Sequence, residues 1–163
     1  MKSFHALLFL FFVSYLASAQ VSSERNSHIL YYDILYNGNV EQLESLINNL
    51  TSYSPKDTLA LSGALKMKLA GKLGSPFQKL SSFKDGRKAL DSAIENDSLN
   101  AEYRFLRIII QENAPGILGY NDKMEEDKNL ILKKFPKLNE SLQSEIRKYT
   151  NSSKVLTLSS LRE

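Results

Sequence analysis

The sequence predicts an all-α protein of about six or seven helices, packed as antiparallel helical hairpins. Three observations predict it. Apolar residues recur at three- and four-residue spacing along almost the whole chain after residue 28. Helix start and stop signals punctuate that pattern at helix-length intervals. Period-two alternation, the mark of a half-buried strand, is nowhere convincing before residue 150.

Each element has its own justification. A first helix is expected over 28–36, with Ile29, Tyr32 and Tyr36 on one side and Leu30 and Ile34 nearby. At Asn37-Gly38-Asn39 the chain stops and restarts: Gly38 suits a left-handed position after the helix, and Asn39 an N-cap. Gln42, three residues later, completes the spacing of a capping box. Val40, Leu43, Leu46, Ile47 and Leu50 then mark one face of a second helix. Ser54-Pro55 opens the third, where Pro55 needs no donor and Asp57 favours the positive end. Leu61, Leu65, Leu69 and Leu73 stripe it, and Ala60, Ala64 and Ala70 form a small-residue face.

Gly74-Ser75-Pro76 ends or sharply bends that helix. A fourth is expected from about Lys79 or Phe83 to Asn96, with Phe83, Leu90 and Ile94 inward and Gly86, Ala89 and Ala93 small. Asn100 caps the fifth, 101–113, which is apolar nearly all round and is therefore the central one. Residues 114–120 read as a loop, and Asp122 with Glu125 has capping-box spacing for a helix over 122–135 that Pro136 terminates. Leu138, Leu142, Ile146 and Tyr149 stripe the last helix. Residues 151–163 form a Ser-rich tail in which Val155, Leu156, Leu158 and Leu161 can dock. The helical domain thus runs over 28–150.

Composition excludes more than it identifies. The 163 residues include 42% apolar ones, enough for one core of ordinary size. The absence of Cys removes disulfides, thiolate nucleophiles, Cys-ligated zinc and iron–sulfur clusters together. Lys2, the apolar run Ala6 to Leu16 and the small residues Ala17-Ser18-Ala19 read as a secretory signal peptide over 1–19. The apolar run falls short of the roughly 20 residues a membrane anchor needs. A flexible lead-in follows over 20–27. The expected mature product is exported, to the periplasm or beyond the cell, with no transmembrane segment. Losing Lys2 lowers the formal net charge from +3 to +2. Basic residues are scattered among acids, so nucleic acid is not an expected partner.

Residues 86–102 resemble the second helix and exit turn of a tetratricopeptide repeat. Ala93 falls on that family's late alanine, Gly86 on its earlier small residue, Leu90 on its aromatic position, and Ser98 replaces its proline. Leu73 and Gly74 match its Leu-Gly pair and Phe77 its tyrosine position, whereas Pro76 departs from it. The unit does not recur, because Arg104 and Arg107 take the small positions that a second copy would need. The stretch from Arg104 to Lys128 is similar to a group of small exported helical proteins of Gram-negative bacteria to which no activity is assigned. These resemblances imply a tetratricopeptide-like array and an envelope location.

Chemistry is sparse. After the leader the only histidine is His28, which reads as an ordinary helix-end residue. No nucleophile elbow, phosphate-binding glycine loop or Asp-rich calcium loop occurs. No cofactor or metal site is expected, and the chain is not expected to be an enzyme. A carboxylate hydrolase built on Glu112 is the weakest alternative. Glu125, Glu126 and Asp127 read as a solvated helix start. Arg104, Arg107, Gln111, Asn113, Tyr120 and Asn121 form the candidate set for gripping a protein or peptide partner: Arg suits bidentate carboxylate contact, and the resemblance implies a concave groove lined by such side chains. The expected function is an interaction or scaffold module of the cell envelope. The alternative is a binding protein for a small apolar ligand held among Phe105, Ile109, Leu130 and Tyr149.

Overall fold

A computed structural model describes residues 26–50 and 53–161, and these form an all-helical structure with no strand. Helix α1 covers 26–37. It is followed by α2 (Val40–Asn48), α3 (Pro55–Ala70), α4 (Pro76–Asn96), α5 (Ala101–Asn113), α6 (Met124–Lys134) and α7 (Glu140–Tyr149). Short 3-10 turns occupy Gly116–Leu118 and Phe135–Lys137. The leader expected at 1–19 lies outside the described residues, as does most of the lead-in; Asn26 and Ser27 are already helical. Among the described residues no helix is long and apolar enough to cross a membrane.

Local hydrogen bonds set most helix starts. Asn39 and Gln42 form a complete capping box, with N–H···O distances of 2.8 and 2.9 Å in the two directions. The Ser54 hydroxyl accepts from the Asp57 amide, with Pro55 in the first turn. Asn100 accepts from the Glu102 and Tyr103 amides, and Asn139 from the Leu142 amide. Two expectations are corrected. Gly38 is not left-handed, since the positive-φ glycine among the described residues is Gly119. Gly38 is needed for closeness instead, because a Cβ there would lie 2.5 Å from the Ile34 carbonyl oxygen. Asp122 does not cap α6, which starts two residues late without a side-chain cap. Its first turn is held by acids bonded to α5, described below.

The break expected at Gly74-Ser75-Pro76 falls between Ala70 and Pro76, and α4 then runs uninterrupted for 21 residues. Two glycines let α3 and α4 meet at backbone distance. A Cβ on Gly63 would sit 2.8 Å from the Gly86 carbonyl oxygen, and one on Gly86 would sit 2.5 Å from that of Gly63. The Ser82 hydroxyl donates to the Lys66 carbonyl along the same seam. Across the molecule, α5 is the central helix: ten of its thirteen residues are buried, Arg104, Arg107 and Gln111 among them. Residues 150–161, expected as a tail, fold back as turns. Leu156 is fully buried, and Val155 and Leu161 pack against the core.

Candidate functional site

The candidate site is built outward from a buried ion cluster. Arg104 and Arg107 stand three residues apart on α5, so they project from one side of it. Asp127, in the first turn of α6, faces them with no exposed surface at all. Arg107 grips it bidentately, Nε to Oδ2 and a terminal nitrogen to Oδ1, both at 2.7 Å. Arg104 bonds Asp127 Oδ1 at 2.7 Å and Glu126 Oε1 at 2.8 Å, and also reaches the Ser98 carbonyl. Burial opposes the Arg107 charge, but the hydrogen bond and charge of Asp127 outweigh it and raise the pKa further. The two guanidiniums, each only 7% exposed, are therefore occupied within the chain. They form the scaffold of the site and do not line a groove, which corrects the placement expected of them. Asp127 is likewise no solvated helix start.

From this cluster the bonding continues into the loop after α5. Arg107 reaches Asp91 Oδ1 at 3.4 Å, and the Tyr120 hydroxyl donates to the same oxygen at 2.9 Å. The Arg87 guanidinium stacks 4.7 Å over the Tyr120 ring, and Phe83 meets that ring edge-on. Tyr120 is thus a buried pin at the end of residues 114–120. Burial and the Asp91 carboxylate hold its hydroxyl far above the usual phenol range. Gly119, at φ 55°, supplies the left-handed turn that brings the chain from the 3-10 turn to Tyr120.

Two cavities meet at Ala114 and Pro115. The smaller, about 210 Å³, is lined by Gln111, Tyr120, Asn121 and Met124 on one side and Lys154 and Val155 on the other. Gln111 is 4% exposed, and both amide heteroatoms are buried without a hydrogen-bond partner. The larger cavity, about 580 Å³, is an open groove with a floor of Met67, Phe83, Ile110 and Leu118. Asn113 lines it while its Nδ2 donates to the Ile109 carbonyl and the Tyr149 hydroxyl. Lys68, Lys72 and Lys79 line it too, and no acidic residue does. Burial, then the charge of Lys72, lowers the Lys68 pKa. On the loop above, Ile117 is 95% exposed. Of the six expected residues, four surround this loop, and two lie beneath it as framework.

Other expected groups have structural partners. Glu112 accepts from the Ser153 hydroxyl and the Lys154 amide, both at 2.6 Å, and from the Val155 amide at 3.2 Å. Phe105, Ile109 and Tyr149 are buried core residues, and the Phe105 and Tyr149 rings meet edge-to-face at 5.5 Å. Among the described residues no group of three His, Cys, Asp or Glu could hold a metal ion. His28 is more than a helix end. Its Nε2 lies 2.6 Å from Glu102 Oε1, which also accepts from Tyr32, and its Nδ1 lies 3.2 Å from the Ser141 hydroxyl. The groove lysines were not singled out in the sequence. Lys68 stands in the last turn of α3 and Lys72 just past its end, but only the fold brings Lys79 and the 114–120 loop alongside them. No protein-family model, curated protein or solved structure matches this chain.

Proposed function

We propose that the chain is an exported interaction module of the cell envelope, a binding protein and not an enzyme, that docks a protein or peptide segment on the 114–120 loop and the groove beside it. The observation that carries this reading is Ile117, a large aliphatic side chain 95% exposed on a loop whose end is fastened by buried Tyr120. Single exposed apolar residues are ordinary on a protein surface. Here the exposed residue sits on the rim of a groove of about 580 Å³ with an apolar floor, a shape that rewards insertion of a side chain. Asn113, Tyr120, Asn121 and Gln111 are the polar residues of the same loop region. Export rests on the leader pattern at 1–19, and the tetratricopeptide-like resemblance supports a partner-binding role.

The test is capture from envelope extract by residues 20–163, comparing the native sequence with Ile117→Asp. Proteins retained by the first and lost with the second support the reading. Identical recovery by both overturns it. Arg104→Glu would test folding instead, because it replaces the cation that Glu126 and Asp127 share with a third acid.

A further inference from the structure

The geometry points to a carboxylate-bearing occupant: we infer that the groove seats an acidic–apolar segment of a partner protein, its carboxylate against Lys68 and Lys72 and its neighbouring apolar side chain against Ile110 and Leu118. This rests on the docking reading above and names the chemistry of the partner. The groove's lining contains three ammonium groups and no carboxylate. None of the three lysines forms an ion pair among the described residues, although the chain carries 18 acidic residues against 21 basic ones. Elsewhere surface lysines do pair, as Lys123 does with Glu126 and Lys128 with Glu125.

Lys68 lies in the last turn of α3 and Lys72 in the turn just past its end, close enough that the Lys72 charge acts on Lys68. The α3 dipole favours a cation in its last turn and accounts for one ammonium there. It does not account for a second beside it and a third from α4 across an apolar floor. Like charges drawn together over apolar surface leave an unmet demand for an anion, which a bound carboxylate would relieve. The lowered Lys68 pKa accords with that demand. An apolar tail contributes through the floor, and a carboxylate through hydrogen bonds that both ends of the pair strengthen by charge. A cationic or wholly apolar segment would meet only half of this complementarity.

The smallest probe of the arrangement is hexanoate, compared with hexanol and hexylamine of the same chain length. Each is titrated to about 50 mM into isotopically labelled residues 20–163, since so small a ligand binds weakly. The readouts are the Ile110, Ile117 and Leu118 methyl resonances and the Lys68 and Lys72 side-chain signals. Hexanoate is expected to give saturable shifts in both sets and to raise the Lys68 pKa. Hexylamine is expected to give neither. Lys68→Gln with Lys72→Gln should weaken hexanoate about 10-fold and leave hexanol unchanged. If hexanol binds as tightly as hexanoate, or the double variant leaves hexanoate unaffected, the carboxylate inference is overturned while the apolar docking groove stands. If neither hexanol nor hexanoate moves the groove resonances, both readings fall.

Discussion

Asp127 shows how strongly one residue can determine the frame of the site. Its carboxylate is fully buried and receives three bonds of 2.7 Å from two arginines. Removing one partner from a buried ion cluster leaves the remaining charges unpaired, which costs more than the cluster itself contributes. Asp127→Asn keeps the shape and loses the charge. It is expected to lower unfolding stability by about 3 kcal/mol, a large share of a typical domain's total; urea denaturation measures it. Gln111 predicts the opposite sign. Two buried amide atoms without partners are a standing desolvation cost, so Gln111→Met, similar in volume, is expected to be neutral or to stabilise by about 1 kcal/mol. A loss of stability in that variant would show that the amide is satisfied in solution. The sequence placed both arginines on one side of α5 but could not show what faces them. Their partner is 20 and 23 residues away, and helical periodicity says nothing about a neighbour on another helix. By contrast, the Asn39–Gln42 box was fully legible, because both its bonds close within three residues.

Between elements, two contacts set how helices meet. The α3–α4 seam depends on Gly63 and Gly86, whose missing Cβ atoms let backbone approach backbone. Alanine at position 86 would gain about 1 kcal/mol in helix propensity. Against that, its Cβ would lie 2.5 Å from the Gly63 carbonyl oxygen and 2.9 Å from the Met67 amide nitrogen, and backbone atoms cannot swing aside. An overpacking cost of about 3 kcal/mol prevails, and Gly86→Ala is expected to destabilise the fold by about 2 kcal/mol net, read as a lower melting temperature. Gly86 is legible in the sequence as a small position of α4; Gly63 is not, because spacing alone points to the alanines of α3 and does not tell which small residue meets Gly86. The second contact fastens α1. Burial disfavours the His28 imidazolium, but the hydrogen bond and charge of Glu102, with Glu145 adding to them, leave the folded-state pKa raised. Its stabilising contribution is therefore complete below the unfolded pKa of about 6.5 and fades as pH rises through the folded value. Urea midpoints of the native protein and His28→Asn should differ most at acid pH and converge in alkali. A difference that stays constant with pH would exclude the imidazolium as its source.

At the scale of the whole molecule, the last described residues close the fold and wall the site at once. Leu156 is fully buried, and Lys154 and Val155 form one side of the cavity that Gln111 and Asn121 line on the other. The clamp is Glu112, at the end of the central helix, whose carboxylate accepts two backbone amides and one hydroxyl from residues 153–155. Apolar residues after 150 were legible as capable of docking. The clamp was not, because an acid at the end of an apolar helix reads first as exposed or paired with a nearby base until the chain 41 residues later is seen to return to it. Glu112→Gln keeps the length of the side chain but removes its charge: one oxygen still faces the Lys154 and Val155 amides, while the amide nitrogen meets the Ser153 hydroxyl, which already accepts from the Val155 and Leu156 amides. The 150–161 segment should then open more often while the seven helices stay folded, since local opening and global unfolding have separate free energies. Trypsin cuts after Lys154, whose amide the carboxylate holds at 2.6 Å, so the cleavage rate at that bond reports the opening directly. If each lost charge-assisted bond costs about 1.5 kcal/mol, cleavage is expected to accelerate about 10-fold or more, with little change in the circular dichroism melting curve. An unchanged rate would mean that Leu156 alone holds the segment, and Leu156→Ala would then be the variant that releases it.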